Sequence, residues 1–340
     1  MNIGASGAAA SMGVAYGSGA IKNAKIALII CAIGVFLGAV IGGGEVVKTI
    51  SSGIIPQKMM TLQIVVIILL SATSSLFLAN LIGIPLSTSE VTVGAVVGVG
   101  VAYKVLFVDS LLVIMMFWVL VPVTAFLITF LLGKGLYLLR KKGHALKSHW
   151  LTYVLIFSGF FEAFSAGMNN VANAVGPLVA AGLLSVSKGT WIGGIFVALG
   201  AVLLGKRVLE TNGKKITQYE KTEGILISST GATLVIISSI FGLPVPLTQV
   251  TSSSIIGIGI AKNGVSILQK SIVKKILSIW IVSPLISLTI SYFLVKLFVD
   301  GDVYSVIIPV SVIISTLGGI SLLRVINEEK RSVYEDGGGI

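Results

Sequence analysis

Long apolar runs separated by short polar stretches dominate the chain. Residues 24–43, 60–82, 109–132, 191–204, 224–241, 277–299 and 303–323 read as membrane-crossing helices by length and apolarity. A further apolar run, 150–164, leads into a segment that carries polar side chains. Two stretches, 83–100 and 242–259, break the pattern: a proline precedes a cluster of hydroxyl residues and then a short glycine-spaced run. Each predicts a broken or re-entrant helix rather than a full crossing. Residues 1–21 are too rich in glycine, alanine and serine for a lipid-facing span, while 45–58, 134–149 and 206–223 read as loops.

The chain repeats itself. The run Gly4 to Gly13 aligns with Gly167 to Gly176, residues 36–42 align with 198–204, and Gly83-Ile-Pro-Leu aligns with Gly242-Leu-Pro-Val. The pair Val91-Thr92 matches Val250-Thr251. Interrupted apolar segments at matching places in two halves point to a transporter with its binding site at the repeat interface. The expected organisation is a first repeat at 1–133, a basic cytoplasmic loop at 134–149, a second repeat at 150–299, and a last span with a charged tail at 300–340. The second copy of the first motif follows an apolar helix, whereas the first copy begins almost at Met1. A start internal to a longer reading frame, short by roughly 15 residues of a span, is the expectation favoured here.

Composition fixes the class. The sequence is 55% hydrophobic and 11% charged, with 40 glycines, against about 25% charged residues in soluble domains. Its mean hydropathy is +1.04. The fold class is all-α, a polytopic membrane protein with two inverted repeats. The net charge of +11 would suit nucleic acid in a soluble protein. Here the basic residues gather in loops, so the positive-inside rule accounts for them and no nucleic-acid partner is expected. Lys206, Arg207, Lys214, Lys215 and Lys221 mark 206–223 as cytoplasmic; its counterpart 45–58, with only Lys48 and Lys58, falls outside, which makes the repeats inverted. The single cysteine, Cys31, cannot form an intrachain disulfide.

The stretch from Glu162 to Pro177, E-A-F-S-A-G-M-N-N-V-A-N-A-V-G-P, carries the candidate chemistry. Asn169 and Asn173 share a helix face, Asn170 is adjacent, and Gly167, Gly176 and Pro177 predict a broken helix there. Amides at membrane depth are costly unless they face protein, water or a substrate. A broken helix also exposes backbone N–H groups that hold anions. Interhelical hydrogen bonding is the plainer role for such amides. Ser87, Thr88 and Ser89 in the first interrupted segment, and Thr248, Gln249, Thr251 and Ser252 in the second, either line the same site or satisfy backbone freed at the prolines. Ser6, Gly7 and Ser11 join the site through the internal alignment. Glu162 and Glu90 are acids inside apolar runs and are the candidate carriers of a coupling proton. The only histidines, His144 and His149, lie in the central loop. A membrane metalloprotease, which needs histidine ligands, or an aspartyl protease, which needs paired acids, is therefore excluded, and neither a metal nor a cofactor is expected.

The motifs G-x-N-N-V-A-N-A-x-G-P at 167–177, G-I-P-L-S-T-S-E at 83–90 and G-L-P-V-P-L-T-Q at 242–249 resemble the inorganic phosphate transporter family. Typical members carry G-A-N-D-V-A-N-A twice and P-V-S-T-T-H twice. The first copy resembles in particular the sulfate permease branch of Bacillus-type bacteria. The resemblance implies an inverted-repeat fold, a midplane oxyanion site and a homodimer in the bacterial cytoplasmic membrane. It also defines the departures. The family Asp of each signature stands here as Gly7 and Asn170, its asparagines in the first copy as Ser6 and Ala10, its histidines as Glu90 and Gln249, and a family Glu as Val35 and Val197. Hydrogen phosphate has a proton to give and wants an acceptor, whereas sulfate has none, so a site without those carboxylates favours sulfate. The expected function is secondary uptake of sulfate, with proton coupling. Phosphate symport within the same family is the alternative, and a passive anion channel a more distant one.

Overall fold

The computed structural model describes residues 1–82, 86–142, 149–304, 307, 311 and 315. The chain begins with short helical turns: a wide turn at Gly4–Ala8, α1 (Ala9–Ser11) and α2 (Gly13–Gly17). The helices α3 (Ala24–Gly42), α4 (Gly44–Ser52), α5 (Leu62–Ile82), α6 (Thr88–Tyr103) and α7 (Val108–Lys141) complete the first half. The second half runs through α8 (Trp150–Ala180), α9 (Val186–Leu204), α10 (Lys206–Glu210), α11 (Lys221–Ile240), α12 (Leu247–Asn263) and α13 (Ser271–Phe298). The same order of long, short, long and re-entrant helices thus occurs twice.

Seven of the described helices are long and apolar enough to cross a membrane: α3, α5, α7, α8, α9, α11 and α13. A 19-residue helix such as α3 spans about 28 Å, close to the hydrocarbon thickness. Its faces show why it sits where it does. Ile26, Ile29, Ile33 and Leu37 are exposed, as a lipid-facing stripe must be, while Ala27, Gly34, Gly38 and Ala39 are buried. Without a water-driven hydrophobic term, small residues that allow backbones to approach are what join such helices. A Cβ on Gly38 would overlap Phe164 O of α8, and one on Gly167 would overlap Val35 O of α3. The first segment meets α9 in the same way: a Cβ on Gly4 would overlap Val197 O, and one on Gly200 would overlap Met1 O. The opening segment of each half therefore packs on the second helix of the other.

The chain divides into two units, Met1–Ser291 and Tyr292–Ile340. The first contains the helices just described up to most of α13. In the second, the end of α13 carries an ion pair between Lys296 and Asp300 at 2.7 Å.

Four expectations are corrected. Residues 45–58 are not a loop throughout, because α4 occupies Gly44–Ser52. Its Val46, Val47 and Ile50 are buried with Val171, Ala172 and Val175 of α8, while Glu45 and Lys48 pair on the exposed side. Residues 206–223 likewise begin with helical turns, α10 and Thr211–Lys215, which bury Val208 and Leu209. Third, the asparagine-bearing helix is not broken: α8 is continuous through Gly167, Gly176 and Pro177. Pro177 lies a turn from the end at Ala180 and removes a single bond, the one its N–H would have made to Asn173 O, so the helix continues through it. The first part of the expected central loop, 134–141, also departs from expectation by continuing α7, and the loop's His144 and Lys147, the span at 303–323, the tail and Pro85 lie wholly or mainly outside the described residues.

Candidate functional site

The re-entrant helix α6 starts inside the protein. Ser87 caps it by accepting from Glu90 N at 3.3 Å, so its first N–H groups, at Thr88 and Ser89, have no partners within the helix. These residues are buried and face the middle of α8. Asn170 Oδ1 accepts from Thr88 Oγ1 at 2.8 Å, and Asn173 Nδ2 donates to Thr88 Oγ1 and Ser89 Oγ, both at 3.2 Å. Ser89 Oγ also donates to Asn169 Oδ1 at 3.2 Å or to Val245 O at 3.1 Å.

The three amides differ in what remains of them. Asn169 is fully used by the protein: its Nδ2 donates to Ser239 Oγ at 3.0 Å and Leu243 O at 2.9 Å, and its Oδ1 also accepts from Val245 N at 3.2 Å. It ties α8 to the 243–245 segment ahead of α12. Asn170 Nδ2 and Asn173 Oδ1, by contrast, are buried without a hydrogen-bond partner among the described residues. Buried polar groups are normally satisfied, so each such atom calls for a reason. Gly7 adjoins Asn170 Nδ2 so closely that a Cβ there would overlap it, and would come within 3.4 Å of Thr88 Oγ1. The aligned positions 7 and 170 thus meet each other.

Ser6 closes the first-copy side. Its hydroxyl donates to Leu86 O at 2.7 Å and accepts from Leu86 N at 3.1 Å, which holds the start of α6 against the Gly4–Ala8 turn. Ser11 is not brought into this cluster. Its hydroxyl bonds Ala8 O at 2.6 Å within its own segment and lies 4.0 Å from Cys31 Sγ. Thr248 and Ser252 are buried on α12, and their hydroxyls make no hydrogen bond among the described residues.

Both candidate acids reach α12. Gln249 Nε2 donates to Glu90 Oε1 at 2.5 Å, and Thr251 Oγ1 donates to Glu162 Oε1 at 2.5 Å. Glu90 and Gln249 are aligned positions of the two halves, so here again equivalent residues meet. Glu162 is fully buried, and its second oxygen, like that of Glu90, has no partner among the described residues.

Residues 3–291 match the model of the phosphate transporter family. The chain belongs to that family. Among its relatives, the sulfate permease CysP of Bacillus subtilis strain 168 is 67% identical over 341 residues, covering 100% of this chain and 96% of the relative. A putative phosphate permease of Thermococcus kodakarensis is 30% identical over 383 residues, covering 87% of this chain and 94% of the relative. A solved structure of a sodium-dependent phosphate transporter superposes with a TM-score of 0.76 at 24% identity, over 88% of this chain and 96% of that one. This family member therefore shares that fold.

Sequence reasoning missed Ser239 and the backbone of Leu243 and Val245. Their only signal was the G-L-P-V-P run, whose two prolines cannot donate to a neighbouring carbonyl and keep the segment extended.

Proposed function

We propose that the chain is a secondary transporter that takes up sulfate across the bacterial cytoplasmic membrane. The 67%-identical relative bears the name sulfate permease, and the permeases and transporters among its relatives speak against an enzyme. The observation that carries the reading is local. Asn170 Nδ2 is a buried donor with no partner among the described residues, and it sits against Gly7 where the family pattern would place a second carboxylate. The backbone N–H groups at the start of α6 join it in a set of donors suited to an anion with no proton of its own, while the hydroxyls of Thr88 and Ser89, whose single protons go to Asn170 Oδ1 and to Asn169 Oδ1 or Val245 O, orient the amides around it. Ser6, Asn169 and the 243–245 backbone position this set. Thr248, Gln249, Thr251 and Ser252 lie buried on the first turns of α12, where Gln249 and Thr251 bond the two acids, and Ser11 takes no part.

The reciprocal packing of each opening segment on the other half's second helix supports two halves related by a pseudo-two-fold axis. The Lys- and Arg-rich loops favour a cytoplasmic location for the end of the bundle holding Arg140 and 206–223. Glu162 and Glu90 are assigned to proton coupling.

Uptake of labelled sulfate into proteoliposomes, with unlabelled phosphate as competitor, tests the reading. Sulfate accumulation that a protonophore abolishes and phosphate fails to inhibit is the expected result. Phosphate winning the competition would establish the second reading, phosphate symport, which the family description itself favours.

A further inference from the structure

Away from the central site, at the Lys- and Arg-rich end, a cavity of about 320 Å³ is lined by Lys214, Thr217, Gln218, Lys262, Asn263 and Lys270. These six residues come from three separate segments: the helical turn and irregular link after α10, the last turn of α12, and the residue that precedes α13. Three of the six are lysines and none is acidic.

Three ammonium groups around one cavity repel one another, so their convergence needs a reason. The nearest carboxylate is Glu223, 3.6 Å from Lys262 Nζ, and it is already shared with Arg140 at 2.8 Å. The other two lysines are held in place by neutral groups. Lys270 Nζ donates to Ile216 O at 3.1 Å. Lys214 Nζ donates to Tyr16 OH at 3.1 Å and stands 4.2 Å above the ring of Tyr16. An ammonium has three donors and each of these bonds uses one, so both lysines retain donors. Thr217, Gln218 and Asn263 add neutral hydrogen-bonding groups between the charges, and Thr217 is buried against Gly259 of α12.

We propose that this cavity is a second anion site, facing the cytoplasm, for a group bearing tetrahedral phosphoryl or sulfuryl oxygens. Compact lysine charges with interspersed neutral donors are the chemistry that holds such a group. The group is either a soluble cytoplasmic oxyanion or the headgroup of an anionic lipid. When it binds, it bridges the C-terminal end of α12, the 214–218 segment and the start of α13.

The test uses the full-length protein in zwitterionic detergent, titrated calorimetrically with inorganic pyrophosphate at fixed ionic strength. Saturable binding that weakens at least tenfold in Lys214→Gln, Lys262→Gln and Lys270→Gln, and is kept in Lys262→Arg, supports a soluble ligand. In a second arm the protein is reconstituted in phosphatidylcholine with and without phosphatidylglycerol. A rise in thermal midpoint with phosphatidylglycerol that the triple glutamine variant loses supports the headgroup. Pyrophosphate binding indifferent to the lysines, or no lysine-dependent response in either arm, overturns the proposal. Neither readout involves sulfate uptake, so the outcome is independent of the central-site reading.

Discussion

Asn170→Asp is the sharpest test of why the central site lacks carboxylates. The substitution is nearly isosteric and leaves the Oδ1 bond from Thr88 in place. It replaces the unpartnered Nδ2 with an acceptor. An anion oxygen in hydrogen-bond contact with Nδ2 puts the central atom of the oxyanion about 4 Å away, where two unit charges interact by about 4 kcal/mol at an effective dielectric of 20. For a dianion the repulsion is roughly twice that, and the lost charge-assisted hydrogen bond adds about 1.5–3 kcal/mol. Even if relaxation and water absorb half of this, sulfate affinity falls by more than about 100-fold. Hydrogen phosphate suffers less, because its own O–H donates a charge-assisted bond to the new carboxylate. The aligned substitution Gly7→Asp is a poorer probe, since any Cβ at position 7 overlaps Asn170 Nδ2. Labelled sulfate and phosphate uptake in proteoliposomes reads both effects. Sulfate uptake retained within about tenfold, with phosphate competing no better than before, would refute the reasoning.

The neighbouring amides separate structure from binding. Asn169→Ala removes three protein hydrogen bonds and a fourth that Ser89 shares with Val245 O, each worth about 0.6 kcal/mol within membranes, so it lowers the thermal midpoint in detergent, whereas Asn170→Ala loses uptake with a much smaller thermal shift; equal thermal shifts would contradict the distinction. Glu162→Gln keeps an oxygen for Thr251 but removes the ionisable group, and sulfate uptake should lose its dependence on external pH. An unchanged pH profile would eliminate Glu162 as the proton carrier. Gly4→Ala and Gly167→Ala place a methyl onto equivalent backbone carbonyls and each costs about 1–3 kcal/mol of overpacking, visible as similar losses of thermal midpoint; a loss in only one would argue against equivalent contacts.

Crossing helices were readable in the sequence because the bilayer sets their length, and that constraint acts on each segment alone. The re-entrant helices were readable for a related reason: Pro85 and Pro246 precede hydroxyl clusters that no lipid-facing span tolerates. Helix α4 escaped because a nine-residue element is too short to register as a span, although Val46, Val47 and Ile50 carry the helical period. The continuity of α8 escaped because glycine at 167 and 176 suggested a break, when both instead serve close approach, to Val35 of α3 and Ile50 of α4. The asparagines stood out as polar groups at membrane depth. Which of their atoms the protein consumes was not legible, since the consumers are Ser239 and the backbone at 243–245, some seventy residues away. Ser11 shows the limit of an alignment: it gave a matching position but not a direction, and the hydroxyl turns back to Ala8 O.

The two acids acquire a common logic from the helix they share. Moving a dianion into a negative interior costs about 2.3 kcal/mol per charge for each 100 mV, so electrogenic uptake needs more than two protons or another cation to accompany each sulfate. The donor cluster at Asn170 offers no carboxylate for them. Glu162 on α8 and Glu90 on α6 both hold side chains from the first turns of α12, Thr251 and Gln249 respectively. Each bond is strongest when the acid is ionised, because a charge-assisted hydrogen bond is roughly twice as strong as a neutral one. On the proposed coupling role, protonation at either acid would weaken its hold on α12, and ionisation would tighten it. On the proposal that these acids carry the coupling protons, a helix whose N-terminus is held at two points, one from each half of the chain, would make the occupancy of protons and the opening of the anion site the same event.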